Sequence, residues 1–144
     1  MTDELEQSAA RMVAALERWH AARRCSPALT DLRQRGLSLS HVRVLHVLIS
    51  GGQLGMKELA EQLMITPPSL TGLMRRLEAQ GLVVRQPSPR DQRRTEVAVS
   101  PAGADLLHGL QRSQLEHMAG LLGALPADER AMFLDLLERA VAQQ

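Results

Sequence analysis

The stretch MKELAEQLMITPPSLTGLMRRLEAQGLVVRQPSPRDQRRTEVAVS, residues 56–100, changes its hydrophobic period part-way along. Met56, Leu59, Ala60 and Leu63 recur at three- and four-residue steps, which predicts a short amphipathic helix. Met64-Ile65 leaves room only for a tight connection. Thr66 then offers an N-cap, and Pro67 stands where a first-turn proline is tolerated. A second helix over about 67–80 puts Leu70, Leu73, Met74 and Leu77 inward and Ser69, Thr71, Gly72, Arg75 and Arg76 outward. Gly81 stops it at the usual C′ position. From there the period is two. Leu82–Arg85 and Thr95–Val99 read as strands around the Pro- and Arg-rich tip QPSPRDQRR. Two short helices, a tight turn and a hairpin with a basic tip make a winged helix-turn-helix order.

Outward from this stretch the chain is helical. Residues 3–24 carry one stripe: Leu5, Ala9, Met12, Val13, Leu16, Trp19 and His20. Cys25-Ser26-Pro27 interrupts it, because the residue before proline is pushed out of the α region. A short helix or turn follows to Gly36. Ser38 or Ser40 caps a central helix bearing Val42, Leu45, Val47, Leu48 and Ile49, which ends at Gly51-Gly52. Beyond the hairpin, Ser100-Pro101 opens a long helix to about Leu125. Pro126 opens a last one with Met132, Phe133, Leu136, Leu137, Ala140 and Val141 along one side. The expected fold class is mainly α with a small β-hairpin wing. A winged helix-turn-helix lobe over 36–100 is flanked by helical segments at 1–35 and 101–144.

Composition agrees. Trp19 and Phe133 are the only aromatics, so the core is Leu, Val, Met and Ala, which suits helices better than sheets. Met12, Met56, Met64 and Met74 read as core filler. One cysteine allows no disulfide framework within the chain. No apolar run is long enough to span a bilayer, and acidic residues precede any apolar run at the N-terminus. We expect a cytoplasmic protein. Net charge is only +1, but it is unevenly spread. Residues 66–100 hold six arginines against Glu78, Asp91 and Glu96, while residues 101–144 hold three arginines against six acids.

The basic part coincides with the winged helix-turn-helix elements, and the chemistry fits duplex DNA. Short side chains at Thr66, Pro68, Ser69, Thr71 and Gly72 let a helix start sink into a major groove about 12 Å wide. Backbone N–H groups at that helix start also favour phosphate. Arg75 and Arg76 lie one to two turns in, within reach of phosphate or a guanine edge. Arg90, Arg93 and Arg94 at the hairpin tip suit the backbone or a narrow minor groove. A solvated arginine surface is the plainer reading for any one of them. For Arg76 or Arg85 the other reading is a structural ion pair with Glu78 or Glu96.

The motifs GLSLSHVRVLHVL (36–48), MKELAEQL (56–63), SLTGLMRRLEAQGLVVR (69–85) and PSPRDQRRTEVAVSPAG (87–103) together resemble the MarR family of bacterial winged-helix transcription factors. LPADERAMFLDLLERA near the C-terminus resembles the family's last helix. The resemblance implies a homodimer in which 1–35 and 101–144 supply the dimerisation helices. It implies recognition helices in successive major grooves of a pseudo-palindrome, with half-sites about 10 bp apart. It pairs Asp91 with Arg93 at the base of the wing and leaves Arg90 and Arg94 near the tip. Gln92 stands where the family often has arginine.

The resemblance also implies a small-molecule effector that relieves repression. Trp19, His20, His41 and Leu45 are the candidate pocket residues, although core or interface packing is the plainer role for Trp19. Some relatives sense oxidants through a cysteine in the N-terminal region. Arg23 and Arg24 beside Cys25 favour a thiolate, but we read Cys25 as an inert small residue, since the chain has no tyrosine to hydrogen-bond a thiolate. His20, His41, His46, His108 and His117 show no compact metal-ligand spacing, so we expect no metal and no cofactor. No phosphate loop, nucleophile elbow or HExxH is present, so we expect no enzyme. The alternatives are a winged helix that docks a protein instead of DNA, and a redox-sensing repressor acting through Cys25.

Overall fold

The computed structural model describes residues 3–23 and 27–143. Cys25 lies outside them. Seven helices and one hairpin follow in the order α1 (Asp3–Arg23), α2 (Pro27–Gln34), α3 (Leu39–Gly51), α4 (Met56–Leu63), α5 (Pro67–Ala79), β1 (Val83–Pro87), β2 (Thr95–Val99), α6 (Pro101–Gly123) and α7 (Ala127–Val141). The fold is mainly helical with a two-stranded wing. None of the described helices is long and apolar enough to cross a membrane. The chain forms two compact units, Met1–Gln111 and Arg112–Gln144.

The first unit owes its core to α3. Val44, Leu45 and Leu48 are buried at helical spacing, and α3 packs against α4, α5 and β2. Leu59, Ala60 and Leu63 of α4 close over it, as do Leu70, Met74 and Leu77 of α5. Leu32, Leu37, Leu82, Val83, Val97 and Leu107 complete the same cluster. Ile49 departs from expectation. It is exposed, because α3 turns only part of its surface to neighbours.

The methionines divide. Met74 is buried, and Met56 packs at the core's edge. Met64 is 86% exposed and Met12 is also exposed, so neither fills the core. Met64 is the C-cap of α4 with φ of 54°, a left-handed backbone. That conformation aims its side chain out of the turn. It also brings its own N–H and that of Ile65 back to the last carbonyls of α4.

The hairpin register pairs Val83 with Val99 and Pro87 with Thr95. Leu54 adds a short third rung outside β2. Its N–H donates to Val97 C=O at 3.0 Å, and its C=O accepts from Val97 N–H at 2.8 Å. Sequence periodicity gives no sign of this rung, because one residue has no period. The wing is thereby bonded to the connection between α3 and α4.

Ser100 joins wing to α6 and caps that helix. Its hydroxyl donates to Gly81 C=O at 2.6 Å and accepts from Gly103 N–H at 3.1 Å. Gly103 is buried against the Leu82 carbonyl, with no space for a Cβ.

In the second unit, α7 buries no residue. Met132, Phe133, Leu136, Leu137 and Val141 are exposed. Arg130 closes the turn before it, donating to the carbonyls of Leu122 and Leu125 at 3.1 Å each.

Candidate nucleic-acid interface

The N-terminal half of α5 presents an exposed, mostly polar surface. Thr66, Pro67, Pro68, Ser69, Thr71 and Gly72 are all exposed, while Leu70 beneath them is buried. Thr66 caps the helix as expected, its Oγ1 accepting from Ser69 N–H at 3.4 Å and lying 2.8 Å from Ser69 Oγ. Thr71 Oγ1 donates to Pro67 C=O at 3.0 Å. That leaves the Thr71 oxygen's lone pairs and methyl for an outside partner.

One expectation fails here. The helix start has little N–H to offer a phosphate. Pro67 and Pro68 carry none, and Ser69 N–H is committed to Thr66. Anion binding at this terminus loses its usual donors, so the surface acts through side chains and shape.

The arginines separate into two groups. Arg85 Nε donates to Glu78 Oε1 at 2.7 Å, a structural ion pair between β1 and α5. Arg76 turns toward Gly36, where a Cβ would collide with its guanidinium. It is also close enough to act on His41 electrostatically. Arg75, Arg90, Arg93 and Arg94 are exposed, and none of them joins an ion pair among the described residues. Arg90 borders a hollow that Glu58, Glu61 and Glu96 also line.

The wing tip is organised by a residue that sequence reading missed. Ser88 is 2% exposed. Its hydroxyl accepts from the N–H groups of Arg90 and Asp91 at 3.2 and 3.4 Å, and its own N–H donates to Arg94 C=O at 2.8 Å. A serine followed by Pro-Arg-Asp is a signal for such a side-chain turn. The Asp91–Arg93 pairing takes another form than an ion pair. Asp91 Oδ1 accepts from the Arg93 main-chain N–H at 3.0 Å, and Asp91 C=O accepts from Arg94 N–H at 2.9 Å. The two side chains are two residues apart, and the carboxylate finds the nearer main-chain donor first. The Arg93 guanidinium is thereby left outward.

Among the described residues, the candidate effector residues fall on two separate elements, α1 and α3. Trp19 and His20 sit on α1, their rings edge to face with centroids 5.0 Å apart, and His20 Nδ1 is 2.9 Å from Leu16 C=O. His41 and Leu45 are buried in the lobe. His41 Nδ1 accepts from Ser38 N–H at 3.0 Å, with Ser38 Oγ at 2.9 Å, closing the start of α3 in a capping-box arrangement. Burial, and then the Arg76 guanidinium, hold the His41 pKa below its ordinary value, and contact with the Ser38 main chain opposes them only in part. None of the four lines the hollow of about 470 Å³ between α2 and α6, bordered by Ala28, Asp31, Arg35, Gln80, Asp105 and Leu106.

Residues 35–94, which contain this whole surface, match the MarR family. The HTH-type transcriptional regulator FarR of Neisseria gonorrhoeae is 32% identical over 106 residues, 74% of this chain and 73% of that protein. The chain belongs to the MarR family. Solved structures agree in fold. The YusO protein from Bacillus subtilis superposes with a TM-score of 0.80 at 19% identity, covering 100% of both chains. A mutant of S. aureus MepR, bound to an oligodeoxyribonucleotide, superposes with a TM-score of 0.68 at 22% identity, covering 92% of this chain and 98% of that one. This MarR-family chain is a helix-turn-helix transcriptional regulator, not an enzyme.

Proposed function

We propose that this regulator binds a pseudo-palindromic operator as a homodimer and represses by occupying the promoter. The observation that carries the reading is the pairing of two surfaces on one lobe: the exposed short side chains of α5, and wing arginines free of ion pairs among the described residues. Pro68, Ser69, Thr71 and Gly72 face base edges, and Arg75 faces phosphate. Arg93 and Arg94 follow the backbone or the minor groove, and Arg90 stands beside the hollow that Glu58, Glu61 and Glu96 line. MepR in complex with an oligodeoxyribonucleotide supports the same use of the fold.

We place a small effector in the hollow between α2 and α6, whose volume of about 470 Å³ suits a small molecule. It acts by binding one arrangement of the lobe better than another. Saturating ligand then weakens operator binding without splitting the dimer.

The test is selection of duplex fragments from the source genome by the purified chain, followed by affinity against salt. One enriched pseudo-palindrome with a steep salt slope is the expected result. Arg94→Ala then weakens binding to all sequences and flattens that slope by about one unit, while Ser69→Ala and Thr71→Ala shift sequence preference. Enrichment of no sequence would count against an operator-binding repressor.

A further inference from the structure

Arg76 and Gln80 stand four residues apart on α5 and its C-cap, and so on one side of it. Both reach the turn that closes α2. Gln80 Nε2 donates to Arg35 C=O at 2.7 Å, where helical carbonyls run out of partners on their own ladder. The Arg76 guanidinium lies against Gly36, which has φ of 64°. Arg75, one residue earlier, is rotated about 100° away around the helix.

We propose that Arg76 and Gln80 form a latch fastening the back of the recognition helix to the Arg35–Gly36 turn, and that Arg76 is a positioning residue and not a phosphate contact. The proposal rests on the reading of α5 as the helix that meets DNA. Its consequence is mechanical. α5 otherwise packs against α3, α4 and β1. The latch adds the end of α2, so a shift of α2 reaches the recognition helix directly. Asp31 of α2 and Arg35 of the turn that follows it are ion-paired at 2.8 Å and border the same hollow as Gln80. A molecule that disturbs that pair disturbs the latch.

The test uses the full chain and a duplex that the wild-type protein enriches from a randomised pool. Gln80→Leu weakens binding about fivefold, as for one exposed hydrogen bond, and Arg76→Ala weakens it by a similar factor through lost packing on Gly36, with the wild-type salt slope retained in both. Arg75→Ala flattens the slope by about one unit. Arg76→Lys keeps the charge but loses the flat fork, and it behaves like Arg76→Ala. In DNA-free protein, the His41 imidazole titration followed by NMR moves upward in Arg76→Ala and stays in place in Gln80→Leu.

A flattened slope in Arg76→Ala that Arg76→Lys restores makes Arg76 a phosphate contact and overturns the latch. Unchanged affinity in both Arg76→Ala and Gln80→Leu overturns it as well. Should the wild-type chain enrich no duplex, the DNA reading of α5 fails, and the latch as a device for DNA binding fails with it. The His41 titration then still separates the two failures: an unmoved titration in Arg76→Ala removes the contact itself, and an upward shift leaves the contact standing without its DNA role.

Discussion

A methyl group at Gly103 would meet the Leu82 carbonyl oxygen and Val99 Cγ2, and a backbone oxygen cannot swing aside as a side chain can. Gly103→Ala therefore destabilises the chain by about 1–3 kcal/mol, the range for overpacking a tight site, which thermal or urea denaturation will measure. His41 sets a pH dependence of its own. Its folded pKa is lowered, so below the ordinary value of about 6.5 the unfolded chain takes up a proton that the folded chain resists. The stability from this group is full above that value. It declines as the pH falls toward the folded pKa and levels off below it. His41→Gln keeps an acceptor for Ser38 N–H and removes the titration. Denaturation midpoints compared between neutral and mildly acidic pH should fall less in the variant. An equal fall in both proteins would assign the acid sensitivity to other groups.

The wing shows how a single buried polar atom organises an element. Ser88 Oγ accepts two main-chain N–H groups of the tip, while the Leu54 rung holds the hairpin at its far edge. Ser88→Ala strips the shared acceptor from both and costs about 1–2 kcal/mol locally. Hydrogen exchange at Arg90 and Asp91 is expected to quicken, with the global melting temperature little changed. Operator affinity falls because the wing arginines lose their fixed places. Unaltered exchange at those two amides would mean that the tip is held by its prolines and the Asp91 turn alone. The element was half legible beforehand. Alternation in Thr95–Val99 announces the strand, and Pro-Arg-Asp announces a turn. Nothing in the spacing says that Ser88 points inward, since its burial depends on where Arg94 and β2 fall.

On the scale of the molecule, apolar faces remain without cover. Phe133, Leu136 and Leu137 are exposed on a 15-residue helix that buries no residue. Leu5, Met12, Val13 and Leu16 are exposed along α1. Helices of about 12–15 residues are marginal in water without a packing partner. A second copy of the chain is the partner we propose, through α1, α6 and α7. Phe133→Glu combined with Leu137→Glu should then lower the sedimentation mass toward the monomer at micromolar concentration and lose operator binding with it. A double variant that still sediments as wild type would place the dimer contact elsewhere.

Helix boundaries, the wing and the family were readable in the chain because each rests on local spacing. Period, caps at Thr66 and Ser100, and stops at Gly36 and Gly81 act within a few residues of one another. The fate of individual arginines was not readable in the same way. Arg75 and Arg76 are adjacent, chemically identical and both exposed, yet the Arg76 guanidinium lies against Gly36, far earlier in the chain. The Arg85–Glu78 pair was among those the sequence offered, and the return of β1 alongside α5 selects it. Met64 is exposed because a left-handed turn aims it outward, although its composition suits a core. Side-chain partners separated by many residues depend on how helices stack. Stacking is set by the whole core at once, while period and capping are set by the residues next door.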